Sequence, residues 1–274
     1  MTGIPGLNIF ISDKGHGNMS LTDYKQQGFG INDSYANRFF RQIKSYPEFY
    51  WSTIKNRIRF LKSINMSAER IFCPTLGLSD KIAVINEFNA RYFEGNGFFW
   101  KSPASYDAVI TNLIGLPIAF LPADCPVVIL FDQRQNVLAQ IHSGRENILQ
   151  NIAGKTARMM KEKFFCKPSD IVAYVSPHLC AKCFVLSYLG FLGNTEYEKI
   201  KAAVVEAEGG WSFDMRLAIE IQLGLEGISG VASGPTTCTL CGEENLFSHR
   251  GWSSLHPDHP EIGRFAVISM MTEL

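Results

Sequence analysis

The sequence predicts a mixed α/β sandwich, built as one large domain or two small ones. The main observation is a series of short apolar runs between Leu116 and Asn147, which have the length of buried strands and are separated by turn residues. Apolar residues at helical spacing precede these runs from Trp51 to Met66 and follow them from Ile148 to Phe165. Because strands and helices alternate in only part of the chain, a mixed sandwich fits better than a doubly wound parallel sheet.

The other elements are shorter and are bounded by Gly, Pro, Asn or Asp. Strands are expected at 70–73, 81–85, 106–111, 117–121, 126–131, 137–141, 171–175 and 264–270. Two further helices are expected at 196–208 and 215–225, the second with Asp214 as its N-cap. Residues 86–103 form a long Gly/Asn/aromatic loop, a feature that is often functional in a compact domain.

Composition and charge exclude several classes of partner. Lys plus Arg equals Asp plus Glu, 26 of each, and no basic run occurs, so we expect no binding to nucleic acid and no attraction to an anionic membrane. No apolar run approaches the roughly 18 residues of a membrane span, and the first residues lack the pattern of a secretory signal. The seven cysteines are an odd, scattered set, which argues against a disulfide framework. The sequence therefore predicts a cytoplasmic protein with reduced thiols, and it leaves the oligomeric state open.

Three chemically active side chains border the central apolar runs. Asp124 and Cys125 separate the first two runs, and His142 ends the third. If these strands share one sheet, a thiol, a carboxylate and an imidazole lie at similar depth, where a soft metal or a nucleophile site could form. Gly144 would let the backbone approach closely. Asp124 either orients His142 and accepts protons or caps local amides.

Two cysteine pairs lie further along the chain. Cys180-x-x-Cys183 follows a histidine, and Cys238-x-x-Cys241 precedes one. Four cysteines are a common ligand set for structural zinc, but the wide separation of the pairs does not match a zinc ribbon. The sequence leaves open whether these cysteines bind zinc or are reduced, unligated thiols.

Taken in order, these segments resemble the laccase-domain family, also described as multicopper polyphenol oxidases or purine nucleoside phosphorylases of the YfiH type. LPADCPVVIL (121–130) is similar to the family's T-A-D-C-x-P-V-L-L, and AQIHSG (139–144) is similar to A-A-V-H-A-G. Later segments are similar to G-P-x-I-x-x-x-C-Y-E-V, C-T-x-C, F-F-S-x-R and T-G-R; they are residues 176–185, 238–241, 247–250 and 263–264. Asn56-Arg57 matches the N-R of the family's early helix.

The resemblance implies a single laccase-like α/β domain over residues 1–274, with a divergent segment at 1–50. It also implies a metal site built from one Cys and two His, usually with zinc, or with copper in the oxidase interpretation. Cys125 and His142 occupy two of these positions, but Leu78 stands where the first His should be. A third ligand would then come from elsewhere; the nearest candidates by motif are His178, Cys73 and Cys180.

The segment after His142 also departs from the family. Arg145 and Glu146 stand where the family has Trp and Arg, so only Arg145 could replace the family's Arg on a phosphate. Arg250 and His178 are further candidates for substrate binding.

Three functions follow as hypotheses. The first is a divergent purine nucleoside phosphorylase or deaminase, zinc-dependent, with Cys125, His142 and Asp124 as catalytic residues. The second is a catalytically impaired homologue that binds a nucleoside-like ligand. The third is copper-dependent polyphenol oxidation, which ranks last because the chain has only six histidines and no H-x-H pair.

Overall fold

The computed structural model describes residues 4–20, 48–67, 70–93, 98, 105–232, 237–255 and 263–273. The strands in this part are β1 (Leu7–Ile11), β2 (Ile82–Ile85), β3 (Ala108–Thr111), β4 (Ile118–Phe120), β5 (Val127–Asp132), β6 (Val137–His142), β7 (Ile171–Val175), β8 (Val185–Leu186), β9 (Val204–Ala207), β10 (Gly210–Phe213), β11 (Val231–Ala232) and β12 (Val267–Met271). The α-helices are α1 (Glu48–Ser63), α2 (Arg145–Ile148), α3 (Ile152–Phe164), α4 (Thr195–Ile200), α5 (Met215–Leu225) and α6 (His249–Leu255). None of the helices in these ranges is long and apolar enough to cross a membrane.

A six-stranded sheet in the order β11-β7-β5-β6-β3-β2 lies at the centre of the fold. Residues of β3, β5 and β6 are buried throughout because both faces of this sheet are covered. On one face, side chains such as Val128 and Leu130 join a core with residues of α3 and α5. On the other face, Val127 and Ile129 pack against the three-stranded sheet β1-β12-β4. The predicted mixed α/β sandwich is therefore confirmed.

The prediction that Asp124, Cys125 and His142 border strands of one sheet is confirmed for β5 and β6 and wrong for the apolar run at 117–121. β5 and β6 pair with each other in the central sheet, with Val127 opposite His142, whereas β4 pairs with β12 in the smaller sheet. The chain crosses between the sheets at residues 121–126, where Pro122 and Pro126 lack the N–H that a ladder needs. Asp124 and Cys125 thus lie on a crossing loop.

Three other elements differ from the prediction, and α5 with its Asp214 cap is as predicted. The predicted helix at 148–165 is divided into α2 and α3. The helix predicted at 196–208 ends at Ile200, because the following residues, which include Val204 and Val205, pair with β10. The strand predicted at 70–73 is only an isolated bridge from Phe72 to Ile118.

Asn151 causes the break between α2 and α3. Its backbone is left-handed, with φ of 56°, and its side chain accepts a hydrogen bond from the N–H of Gly154 as the N-cap of α3. Asn tolerates this backbone region better than most residues because its short polar side chain bonds locally.

We expect Asn151→Ala to lower the free energy of unfolding by about 1–2 kcal/mol. Alanine removes the cap, and it lacks the polar side chain that makes the left-handed backbone tolerable for asparagine. Asn151→Gly is the matched control, because glycine also removes the cap but adopts the same backbone without strain. Urea denaturation of the three proteins measures the difference. Equal losses in the two variants would show that the left-handed backbone contributes nothing.

Candidate functional site

The register of β3 and β6 places a carboxylate beside His142. Ala108 lies opposite Ile141, and just beyond this pair the N–H of His142 donates to the carbonyl of Asp107 at 2.7 Å. The side chains also meet, with His142 Nδ1 at 3.0 Å from Asp107 Oδ1, and both are almost fully buried. Asp107 therefore fixes the orientation of the imidazole and leaves Nε2 for other partners.

The loop at residues 77–79 holds Asp107 in place. The Oδ2 atom of Asp107 accepts hydrogen bonds from Gly77 N at 3.1 Å, Ser79 N at 2.8 Å and Ser79 Oγ at 2.9 Å. Burial by itself raises the pKa of Asp107, but the hydrogen bonds from His142 and Ser79 outweigh it and hold the pKa below its usual value. Asp107 is thus a charged carboxylate committed to orienting His142.

Cys125 lies near the imidazole and is half-buried. Its sulfur and Cε1 of His142 both lie within 3.5 Å of the position that a Cβ on Gly144 would take, so the thiol and the imidazole are close together. Burial lowers the pKa of His142, but Cys125 and Asp107 together outweigh this effect and raise it to about 9. A Cβ on Gly144 would lie 2.8 Å from Cys125 Sγ, so only glycine allows the backbone to pass this close. The result is a thiol–imidazole–carboxylate array of Cys125, His142 and Asp107.

Arg145 and Glu146 closely follow His142 in the sequence, and Leu78 adjoins residues that form hydrogen bonds with Asp107. Leu78 lies between the two amides that bind Asp107, has a left-handed backbone with φ of 54°, and is 55% exposed. The guanidinium of Arg145 pairs with Glu146 Oε1 at 2.6 Å, and both side chains are partly exposed. The predicted phosphate-binding arginine is therefore engaged by its own neighbour.

The side chain of Asp124 forms hydrogen bonds with residues other than His142. Its Oδ1 accepts from Thr239 Oγ1 at 2.6 Å, and its Oδ2 accepts from Arg250 N at 2.6 Å in the first turn of α6. Asp124 therefore caps α6 through one amide that is distant in sequence, rather than the local amides that were considered, and its catalytic role stays a prediction. Asp107 was not predicted from the sequence. Its only indication there is that it directly precedes β3, the strand that pairs with β6.

Arg250 and His178 also have structural partners. The guanidinium of Arg250 donates to Val185 O at 3.3 Å and lies over the ring of Phe184. His178 Nδ1 donates to Ser176 O at 2.8 Å, and burial lowers the pKa of His178, which favours the neutral ring. Substrate binding by Arg250 or His178 stays a prediction.

The array fits a metal ion only in part. Cys125 and His142 offer a sulfur and a nitrogen donor, but within the described ranges the one group of three or more possible ligands is a separate set of four cysteines. Cys180 belongs to that set, and Cys73 is buried in another core cluster, where burial raises its pKa to about 11. Catalytic zinc sites use three protein ligands, so the array supplies two of them.

Comparison with known proteins decides the family. The profile described as multi-copper polyphenol oxidoreductase laccase matches residues 52–272. The chain belongs to this laccase-domain family. The fold of this laccase-domain chain is similar to the crystal structure of YlmD from Geobacillus stearothermophilus, with a TM-score of 0.74 at 19% identity over 98% of this chain and 93% of that one. Bacillus licheniformis YfiH gives a TM-score of 0.69 at 19% identity, over 81% of this chain and 82% of that one.

Curated relatives of this laccase-domain chain carry the name purine nucleoside phosphorylase. The protein from Clostridium acetobutylicum is 30% identical over 53% of this chain and 60% of its own length. The protein from Corynebacterium glutamicum is 29% identical over 71% of this chain and 74% of its own. The chain thus spans about 60% of the length of the Clostridium relative.

Proposed function

We propose that this laccase-domain protein acts on a purine nucleoside at the Cys125–His142–Asp107 array, as a divergent phosphorylase or deaminase. The observation that carries the proposal is the buried imidazole of His142, oriented by Asp107 and close to the half-buried thiol of Cys125. The names of the relatives support a nucleoside as the substrate. A buried acceptor, Asn147 Oδ1, faces Gly144 and has no hydrogen-bond partner in the described chain, as expected of a site built to receive a ligand.

Zinc held by Cys125 and His142 completes this proposal. Thiolate sulfur and imidazole nitrogen are ligands that zinc prefers, and Asp107 supplies the carboxylate that commonly orients a zinc-bound histidine. When bound, zinc would supply a Lewis acid or an activated water. The protein's own residues orient the ligands, while Arg145 is the cation nearest to His142 in sequence that could bind phosphate.

Zinc-dependent nucleoside binding tests this function. We expect calorimetric titration with adenosine or inosine to show binding to zinc-loaded protein, and both His142→Ala and Cys125→Ala to weaken it by about tenfold or more. Cys166→Ser, which changes a buried cysteine outside the array, is the control. Binding that is equal in all four proteins would place the nucleoside elsewhere.

Glu146 is expected to limit phosphate binding. Glu146→Gln removes the carboxylate that occupies Arg145 and repels an anion, so we expect phosphate to bind about 3–10-fold more tightly, a modest gain because the pair is solvent-exposed. Glu220→Gln is the matched control, since Glu220 pairs with Arg216 on α5 at 2.7 Å. Titration with inorganic phosphate measures the change, and an unchanged affinity would remove Arg145 from the site.

A second candidate function is a nucleoside-binding homologue without catalysis. It is favoured by Leu78 at the position of a metal ligand and by Glu146 at the position of a basic anchor. Nucleoside binding that persists after removal of zinc, with no product formed, would support it. Copper-dependent oxidation of phenols stays a third hypothesis, and oxidation of a phenol by copper-loaded protein would raise its rank.

A further inference from the structure

Four cysteines from two distant segments meet near the end of β7. Cys180 and Cys183 follow that strand, Cys238 and Cys241 precede α6, and the four sulfur atoms lie within 4.8 Å of one another. None of these cysteines is in a disulfide. The sulfur atoms of Cys180 and Cys241 are 3.8 Å apart. An edge of about 3.8 Å is what a tetrahedron with Zn–S bonds of ~2.3 Å requires.

The backbone around Cys238 is shaped to stabilise a thiolate. Its sulfur accepts N–H groups from Cys180 at 3.3 Å, Leu240 at 3.4 Å and Cys241 at 3.5 Å. The loop closes tightly after the second cysteine, where Gly242 N donates to Cys238 O at 2.9 Å. A Cβ on Gly242 would lie 2.5 Å from that oxygen, so the turn requires glycine. Such N–H···S hydrogen bonds hold ligating sulfurs in fixed directions.

We propose that Cys180, Cys183, Cys238 and Cys241 bind a structural zinc ion, at a site separate from Cys125 and His142. Four thiolates in tetrahedral reach are a closed ligand set that leaves no open position for substrate. The set is soft, which favours zinc over magnesium, calcium or manganese. This site does not depend on the nucleoside-directed function.

The zinc would hold one wall of the candidate functional site. Leu179 N donates to Asp124 O at 2.9 Å, and Thr239 Oγ1 donates to Asp124 Oδ1 at 2.6 Å. Leu179 is adjacent to Cys180, and Thr239 lies between Cys238 and Cys241. Because Asp124 directly precedes Cys125, joining the two cysteine segments through zinc fixes the loop that carries the Cys125 thiol.

Elemental mass spectrometry of purified protein tests the site. We expect about one zinc per chain to remain in the double variant Cys125→Ala/His142→Ala, because the four cysteines are intact. Adding Cys180→Ser and Cys241→Ser to that background should remove it, whereas adding Cys166→Ser should not. Absence of zinc from the double variant, even after refolding with zinc, would overturn the proposal.

Cobalt substitution covers the case in which the serine variants do not fold. In the Cys125→Ala/His142→Ala background, cobalt should give the visible bands and sulfur-to-cobalt charge transfer of a tetrahedral tetrathiolate. Alkylation followed by mass spectrometry should show the four cysteines protected until a chelator is added. Four thiols alkylated at once, or a disulfide among them, would contradict the site. Either outcome leaves the nucleoside proposal to be judged by its own binding assay.

Discussion

Asp107→Ala should lower the free energy of unfolding by about 3–5 kcal/mol, the range expected when one member of a buried, hydrogen-bonded charge pair is removed. The change leaves His142 Nδ1 and the amides of Gly77 and Ser79 without their common acceptor. Buried donors without a partner keep the full cost of desolvation. Urea denaturation followed by circular dichroism measures the loss.

Two further variants separate orientation of His142 from general instability. Asp107→Asn keeps the shape of the side chain but removes the charge, so we expect a smaller loss of stability together with a changed tautomer of His142 in nitrogen-detected NMR. Asp124→Asn changes a carboxylate that caps α6 and should leave the His142 signals in place. A loss below about 1 kcal/mol for Asp107→Ala would mean that the 77–79 loop does not depend on this carboxylate.

Leu78→His should raise the affinity of the array for zinc by roughly 100-fold or more, because it supplies a third protein ligand and even outer partners of a metal site contribute 10–100-fold. The position suits the change, since Leu78 is largely exposed and its neighbours Gly77 and Ser79 are anchored on Asp107. Histidine also tolerates the left-handed backbone better than most residues. Competition with a chromophoric chelator measures the affinity.

Leu78→Asn is the matched control, because asparagine accepts the same backbone but is a poor zinc ligand. Both variants are best compared with the four-cysteine site already filled, so that only the weaker site titrates. If Leu78→His and Leu78→Asn bind zinc equally, the imidazole at residue 78 does not reach the ion, and the third ligand must be sought elsewhere.

The elements that the sequence predicts well are those whose signals are local. Apolar runs between turn residues define β5, β6 and β7, and the capping side chain of Asp214 marks the start of α5. The break between the helices at Asn151 is also a local feature. An asparagine at this position, however, leaves the helical spacing of the apolar residues around it unchanged. Apolar periodicity alone therefore predicts one helix where there are two.

The parts that the sequence does not predict depend on long-range pairing. Asp107 reaches His142 only because β3 lies beside β6 in a given register, although the two residues are 35 positions apart in the sequence. The two cysteine pairs meet because residues 178 and 238 form a parallel bridge. Spacing along the chain does not reveal either contact, which is why Asp107 was missed and the cysteine set was left open.

The most direct test of the account is product analysis with adenosine and phosphate, using zinc-loaded protein and its His142→Ala variant. In phosphorolysis a phosphate oxygen replaces the base at C1′ of the ribose, so adenine and ribose 1-phosphate should appear; deamination would give inosine and ammonia. We expect the parent protein to form one of these product sets and His142→Ala to form it at least ~100-fold more slowly, with Cys166→Ser unaffected. No product from the parent protein, or an equal rate in His142→Ala, would contradict catalysis at this site.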